Sequence, residues 1–443
     1  MAGGTWKKQD KRQPGVYINV KSDMNPVTKL GERGVVAICE PLSWGPEGVI
    51  SVLGPEDDYT PFIGYGKTET KARFLREIFK GSDRTAGPKQ ILMYRPSGKE
   101  ANRATAASDI INATARYTGT RGNDIRIAIS TSGDAHTVQT LVGSEVMDTQ
   151  EVSAASELVT NDWVEFGEGS LAESAGIPLT GGTDGTVDVS SHEAFLAALE
   201  GYAFNILIYD GADEAVQTLY FDFIKRMREG LGRKCQAVMA AAKSLDTEAI
   251  ISVKNGVRLT DGTVITPQQA TWWIGGAEAG ASYDESLVYA QYPEAVDAEP
   301  VLTSAQIDEA LTEGQIVFFR EFGSVKVVSD INTLVTYSDQ KNDVFSFNQV
   351  IRTVDTVAND VYKHFSINVI GKVQNDNASR DLIKTWIVGY LNEMQANGGI
   401  RNFSADDVSV EAGEAINAVV ISIAIQPVTA IEKIYVTVSL TNE

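Results

Sequence analysis

The residues best suited to chemistry are Gly64-Tyr65-Gly66-Lys67-Thr68, which read like the end of a phosphate-cradling loop, G-x-x-x-x-G-K-[ST]. Such a loop works because successive backbone N–H groups surround the phosphates while the lysine reaches their outer oxygens. Here the first glycine is missing. Pro61 stands five residues before Gly66, with no N–H to donate and a fixed φ. Just upstream, Pro55-Glu56-Asp57-Asp58 puts acid where phosphate would approach. A helix start fits the stretch better, with Thr68 as its N-cap and Lys71 and Arg73 as solvated groups.

The three histidines, His136, His192 and His364, are far apart, and none has a second His or Cys at metal-ligand spacing. His192 follows Ser190-Ser191 at an expected helix start and reads as a surface residue. No G-x-S-x-G elbow supports a nucleophilic serine, although a triad is spatial and its absence does not follow from sequence. Gly181-Gly182-Thr183-Asp184-Gly185 could cradle an anion, but no strand directly precedes it and no helix directly follows. It reads as a turn between domains. Trp272-Trp273 sits among small residues, Ala270 to Ala277, and is expected in the core, where large aromatics dominate burial. Cys39 and Cys235 each lie in an apolar run and read as buried free thiols. No catalytic residue, cofactor site or metal site is assigned.

The formal charge of −21 argues against direct nucleic-acid binding, which needs a basic face. No Lys or Arg occurs from Asp134 to Glu200, nor from Leu259 to Phe319. Residues 67–126 are basic on balance. Acid on this scale marks solvated outer surface that keeps a concentrated protein soluble; no Asp/Asn ladder has calcium-loop spacing. No apolar run is long enough to span a membrane, and the basic start MAGGTWKKQDKRQPG lacks the apolar centre of a secretory signal.

With 443 residues, more than one domain is expected. Strands are expected at Val16–Val20, Val35–Cys39, Ile91–Arg95, Phe204–Tyr209 and Gln236–Ala241. Helical spacing appears over Glu69–Lys80, Asp213–Glu229 and Gln268–Ala279. This alternation implies a sheet with helices on its faces. Between 101 and 180 the pattern becomes short, alternating and rich in Thr, Ser and Gly, as in a small β-rich insertion. The last hundred residues suggest a strand at Ser366–Ile370, a helix at Ala378–Ala396, and an antiparallel pair Ile416–Ile425 and Ile434–Leu440. The run Val16–Val20 has no adjacent hairpin partner.

The stretch from Val328 to Val361 carries the strongest resemblance. It holds Ile331-Asn332-Thr333-Leu334, then Lys341, then a helix with Val350, Ile351, Val354, Val357, Ala358 and Val361 on one face. This combination resembles contractile tail sheath proteins, which form the outer cylinder of phage tails, R-type bacteriocins and related injection machines. Pro14-Gly15-Val16-Tyr17, Gly34 to Ile38 with Trp44-Gly45-Pro46, Thr118 to Ile125 and Leu179 to Gly185 resemble further family segments, in the family's order. Residues 134–175 match only in general character.

The resemblance implies an α/β (α+β) fold. An amino-terminal arm would span 1–29, α/β core parts 30–100 and 181–340, a protruding β-rich domain 101–180, and a carboxy-terminal domain with its own strand arm 341–443. It implies a structural, non-enzymatic subunit that polymerises around an inner tube and contracts from a metastable extended state, in a virion or phage-tail-like particle assembled in the host cytoplasm. Its partners would be itself, the tube protein, and baseplate and terminator proteins, with no cofactor, nucleic acid or membrane insertion. Strand exchange between subunits would use Val16, Tyr17, Ile18, Asn19 and Val20 at one end and Ile434, Tyr435, Val436, Thr437 and Val438 at the other. On the helix nearest the tube, Leu382, Ile383, Trp386, Ile387, Tyr390 and Leu391 would face the core. Arg380 and Lys384, on another face, would contact the tube or else pair with Asp381 and Glu393. Two alternatives stand beside this reading: an α/β nucleotide-binding or hydrolytic enzyme using Gly64–Thr68, and an unrelated filament or shell protein.

Overall fold

A computed structural model of the chain describes residues 2–4, 15–17, 31–242 and 245–441. The chain divides into two compact units, Met1–Glu32 and Arg33–Glu443. In the first, Ala2–Gly4 pairs in parallel with Gly15–Tyr17, Ala2 opposite Gly15 and Gly4 opposite Tyr17. The strand at Tyr17 therefore has a partner within its own unit, contrary to expectation. Ala2-Gly3-Gly4 carries no β-branched or aromatic residue, so nothing in its side chains marked it as a strand.

The second unit is built on a seven-stranded sheet. Its strands are β1 (Val35–Cys39), β2 (Ile50–Leu53), β3 (Gln90–Tyr94), β4 (Ile206–Tyr209), β5 (Gln236–Ala240), β6 (Ile250–Val253) and β7 (Gln315–Ile316). Their order is β7-β6-β5-β4-β1-β3-β2, parallel except for β2 on β3. The central strands are buried on both faces, so they read as continuous apolar runs. One face is covered by helices α1 (Arg73–Phe79) and α4 (Pro267–Gly280), the other by α2 (Val189–Leu199) and α3 (Glu214–Lys225). Glu69, not Thr68, precedes the first turn of the α1 region, and no side chain caps it.

Helix α4 shows why Trp272-Trp273 is packing. Gly275 and Gly276 let the helix approach so closely that a Cβ on Gly276 would lie 1.9 Å from the Ile78 carbonyl oxygen. Trp273 is fully buried, stacks on Tyr292 at 4.5 Å, and donates its indole N–H to the Gly81 carbonyl at 2.7 Å.

Between β3 and α2 the chain forms two antiparallel sheets. One has four strands (Glu145–Val152, Ala135–Val142, Ile125–Ser132, Ser174–Pro178), the other three (Val164–Phe166, Asn112–Thr118, Arg103–Ala107). Their inward residues, including Ile125, Ile127, Val138, Ala113 and Val164, share one core. Trp44, from the loop after β1, completes that core: it stacks on Trp163 at 4.8 Å and meets Tyr117 edge-on at 5.3 Å. The outgoing and returning chains cross side by side through bridges Lys99–Thr186, Asn102–Thr183 and Thr105–Thr180.

The last hundred residues differ from expectation. Helix α5 runs Asn348–Asn368 and swallows most of the expected strand Ser366–Ile370. Its end is fixed as helix by His364 and Phe365, which pack on Trp386 of α6 (Asn377–Ala396). Val419–Ile423 pairs with Val408–Ala412, and Gln426–Pro427 with Ile400–Arg401. The tight turn held by Gly413 N–H on the Ala418 carbonyl makes this local pairing the easier closure. Ile434–Leu440 forms no strand. Ile434, Tyr435, Val436, Val438 and Leu440 are 76–95% exposed.

Candidate functional site: a buried ion network and the two chain ends

Helix α5 was expected to bury an apolar face. Val350, Ile351 and Val357 are indeed buried, and Val354, Ala358 and Val361 are half-buried. What the apolar spacing does not reveal is that Asn348, Arg352, Asp355 and Asn359 face the body of the protein too. At successive spacings of four, three and four residues they lie along one side of the helix: Asn348 and Arg352 both bond Asp330, Asp355 bonds Arg228, and Asn359 bonds Lys234.

Arg352 is fully buried. Its guanidinium meets Glu278 of α4 and lies 3.2 Å from Asp330 Oδ2. It also donates to the carbonyls of Ser282 (3.1 Å) and Glu285 (2.7 Å). Asp330 accepts from Leu287 N–H (3.0 Å) and from Asn348 Nδ2 (2.9 Å). Burial disfavours charge on both acids, and the outcome differs. Glu278, buried beside the Asp330 carboxylate, is held well above the usual range. Asp330, against the same burial, is held below it by Arg352 and its N–H donors. Arg33 adds a second cation. It donates to the carbonyls of Ala281 (3.2 Å) and Glu278 (3.3 Å), and burial with the nearby Arg352 lowers it to about 10. These bonds satisfy carbonyls that the end of α4 leaves open.

A second cluster lies one turn along. Arg228, in the wide turn that ends α3, grips Asp355 through two bonds, at 2.5 and 3.0 Å. Glu248 lies 3.9 Å from Arg228 and accepts both bonds of Lys341 at 2.8 Å. Asn359 exchanges two backbone bonds with Lys234. The Ile331–Leu334 motif rivets the same region: Thr333 Oγ1 donates to the Thr247 carbonyl, and Asn332 Nδ2 to that of Phe345, each at 2.9 Å. The motif and Lys341 are thus parts of a fastening between the sheet and α5.

The phosphate-loop candidate is closed. Glu69 occupies the Gly66 N–H at 2.8 Å, and Lys67 Nζ donates back to the Pro55 carbonyl at 2.8 Å. At Gly181–Gly185 the N–H groups of Gly182 and Thr183 are taken by Asn123 and Asn102, and Asp184 accepts from Thr120. His192 is half-buried rather than on the surface, its Nδ1 3.0 Å from the Tyr220 hydroxyl, between two tyrosine rings. Burial lowers its pKa. Cys39 and Cys235 are buried, which pushes both thiols up.

Sequence also missed a carboxyl pair. Glu40 and Asp210 follow the adjacent parallel strands β1 and β4, where the strand order reverses, a position that often binds ligands in open α/β sheets. Here Trp272 Nε1 donates to Asp210 at 2.8 Å, and the two carboxyls share a hydrogen bond. Burial raises Glu40 well above its ordinary value and also raises Asp210, against the hydrogen bonds from Trp272 and Glu40. Among the described residues, no group of three or more His, Cys, Asp or Glu is placed to hold a metal ion.

Of the residues expected to exchange strands, Val16 and Tyr17 lie in the parallel pair described above; Ile18, Asn19 and Val20 lie outside the described residues. Ile434–Val438 extend from the body without a strand partner. Arg380 and Lys384 are half-exposed on α6, Arg380 donating to Asn375 Oδ1 (2.6 Å) and to Asn377. Ile383, Ile387, Tyr390 and Leu391 face the core and Trp386 is half-buried, but Leu382 is 69% exposed. It falls on the outer side, at the edge of the apolar stripe.

The sequence matches the phage tail sheath protein beta-sandwich domain over residues 99–184, the central domain over 185–333 and the C-terminal domain over 340–441. It is 34% identical to the phage-like element PBSX protein XkdK of Bacillus subtilis strain 168, over 99% of this chain and 100% of that one. A sheath tail protein from Desulfitobacterium hafniense superposes with a TM-score of 0.84 at 38% identity, over 95% of this chain and 99% of the other. The helical sheath of the anti-feeding prophage, solved in its contracted state, shares the fold at TM-score 0.59 and 14% identity, over 97% and 99% of the two chains. With sheath domains matched along most of its length and a full-length relative above 30% identity, this chain belongs to the phage tail sheath protein family, structural components of virions or tail-like particles.

Proposed function

We propose that this subunit polymerises into a contractile cylinder around an inner tube and is held to its neighbours by exchanged strands. The observation that carries the reading is the mismatch between the carboxy-terminal segment and its surroundings. Ile434, Tyr435, Val436, Val438 and Leu440 alternate with polar residues as a strand would, yet they are exposed and unpaired. In the same unit, Val408–Ala412 and Val419–Ile423 form a sheet of only two strands among the described residues, with open edges. An open edge is a liability in an isolated subunit and a connector in a polymer. A neighbour's arm, from Val16–Val20 or Ile434–Val438, completes such an edge.

Repeated head-to-tail contacts of this kind do not close, and they build helices or stacked rings. The backbone ladders persist while the bodies rotate between two packings, so contraction releases energy stored at assembly rather than energy from a nucleotide. Domains 30–100 with 181–340, 101–180 and 341–443 are the parts that move as bodies, and 1–29 is the amino-terminal arm. Arg380 and Lys384 provide the releasable contact with the tube. The chain does no catalysis in this scheme, and assembly takes place in the host cytoplasm.

The test is negative-stain electron microscopy of the full chain and of variants lacking residues 1–20 or 435–443. The full chain should form long hollow cylinders. The truncated chains should fold and stay soluble without forming them. Cylinders from a chain lacking both ends would refute strand exchange.

A further inference from the structure

The two chain ends leave the body close to the same buried ions. At the amino-terminal root, Arg33 holds the carbonyls of Glu278 and Ala281, while the Gly34 and Val35 N–H groups share the Asn205 side-chain oxygen at 2.9 and 3.0 Å. At the carboxy-terminal root, Ala430 N–H donates to Gln349 Oε1 at 2.9 Å, and Glu432 accepts from Ser329 Oγ at 3.2 Å. Ser329 precedes Asp330, and Gln349 follows Asn348. Asp330, Asn348 and Glu278 all meet Arg352 or its partners. The roots are 399 residues apart in sequence, counted from Arg33 to Glu432, yet each is one bonded residue from the Glu278–Arg352–Asp330 cluster.

Two features make this cluster able to transmit a change. Its charges are interdependent: Arg352 is shared by two acids, Arg33 lies near enough to feel Arg352, and Glu432 feels Asp330. The carboxy-terminal root also has room to move. It borders a cavity of about 740 Å³ lined in part by Ser329, Ile331, Leu334, Ala430 and Glu432. A pull that parts Glu432 from Ser329 can therefore be accommodated locally, and it changes the field at Asp330.

We propose that Arg33 and Glu432 are the positioning residues of the two arms, and that the Glu278–Arg352–Asp330 cluster couples them, so that loosening one root loosens the other. The proposal rests on the reading of the ends as exchanged arms. It gives that reading a means by which engagement of one arm is felt at the other within a single subunit.

Backbone amide exchange of the full-length, unassembled subunit tests this, comparing wild type with Arg33→Gln, Glu432→Gln, Ser329→Ala and Arg33→Gln/Glu432→Gln. Coupled sites typically influence each other about 5–150-fold. Arg33→Gln should therefore speed exchange at Ala430 by at least about fivefold, and Glu432→Gln should do the same at Gly34 and Val35. Ser329→Ala, which keeps every charge and removes only one hydroxyl, should act in the same direction as Glu432→Gln. The double variant should fall short of the product of the single effects. Arg33→Lys, which keeps the charge, should restore part of the protection at Ala430. Effects confined to the mutated root, a double variant equal to the product, or equal acceleration in the inserted domain at 125–142 would each overturn the proposal. Assembly is not needed for this measurement, so it fails or succeeds separately from the truncation test of the arms.

Discussion

Arg228 and Asp355, 127 residues apart in sequence, face each other fork to fork at 2.5 and 3.0 Å, and both side chains are more than nine-tenths shielded from solvent. Breaking such a pair by removing one partner leaves an uncompensated buried charge and is expected to cost about 3–5 kcal/mol. Asp355→Ala should lose stability on that scale in denaturant unfolding. Lys341→Ala removes a partner that is 44% exposed, and a pair of that kind contributes only about 0–1 kcal/mol. Equal losses from the two variants would show that the fastening is not governed by burial.

Much of the core was readable because buried parallel strands leave an unbroken apolar signature. Val35–Cys39 was placed to the residue, and Trp272-Trp273 was read correctly as packing from its small neighbours. The ion network was not readable. A helix that buries Val350, Ile351 and Val357 looks amphipathic, and Arg352 and Asp355 then pass for its solvated side. Their partners, Arg228, Glu278 and Asp330, sit on other elements, so only the fold brings them together. The one signal available was the polar spacing 348, 352, 355 and 359, a second stripe on a helix that needs only one. The expected pairing of Ile416–Ile425 with Ile434–Leu440 failed for a different reason. Strand propensity does not say which edge a strand joins, and Val408–Ala412 was nearer in sequence.

The Glu40–Asp210 pair gives a pH dependence with a definite sign. Burial raises Glu40 well above its ordinary value of 4.5 and raises Asp210 above 3.8. Between those ordinary values and the raised ones the folded chain holds more protons than the unfolded chain, so this pair makes stability fall as pH rises. Glu40→Gln removes the proton-binding group while keeping a hydrogen-bonding side chain. The thermal midpoint of the variant, relative to wild type, should therefore improve from about pH 5 to about pH 8. An unchanged difference across that range would mean that folding does not raise the Glu40 carboxyl.

Lys67 is expected to be dispensable. Its ammonium sits over the Tyr59 ring at 5.2 Å and donates to the Pro55 carbonyl. Lys67→Ala should cost no more than about 0.5–1 kcal/mol, the scale of an exposed cation–π contact, and should assemble as wild type does. Equilibrium binding with labelled ATP should detect no complex with either protein. ATP binding by wild type that disappears in the variant would restore the nucleotide-binding alternative.

The proposed tube contact makes the most specific demand. A grip that must let go on contraction is better made of exposed charge than of a large apolar surface, since each surface ion pair contributes only about 0–1 kcal/mol and the sum is reversible. Arg380 and Lys384 lie one turn apart on α6, half-exposed, with Leu382 exposed between them in sequence. The bonds from Arg380 to Asn375 and Asn377 hold its guanidinium at the start of the helix. Neither cation fills a core position, so Arg380→Glu/Lys384→Glu should leave the thermal midpoint nearly unchanged. If the two bind acidic groups on the tube, the double variant should give sheath without tube, or particles that contract early, and the wild-type contact should weaken as salt rises. Normal extended particles from the double variant, at low salt as well as at physiological salt, would place the tube contact elsewhere on the subunit.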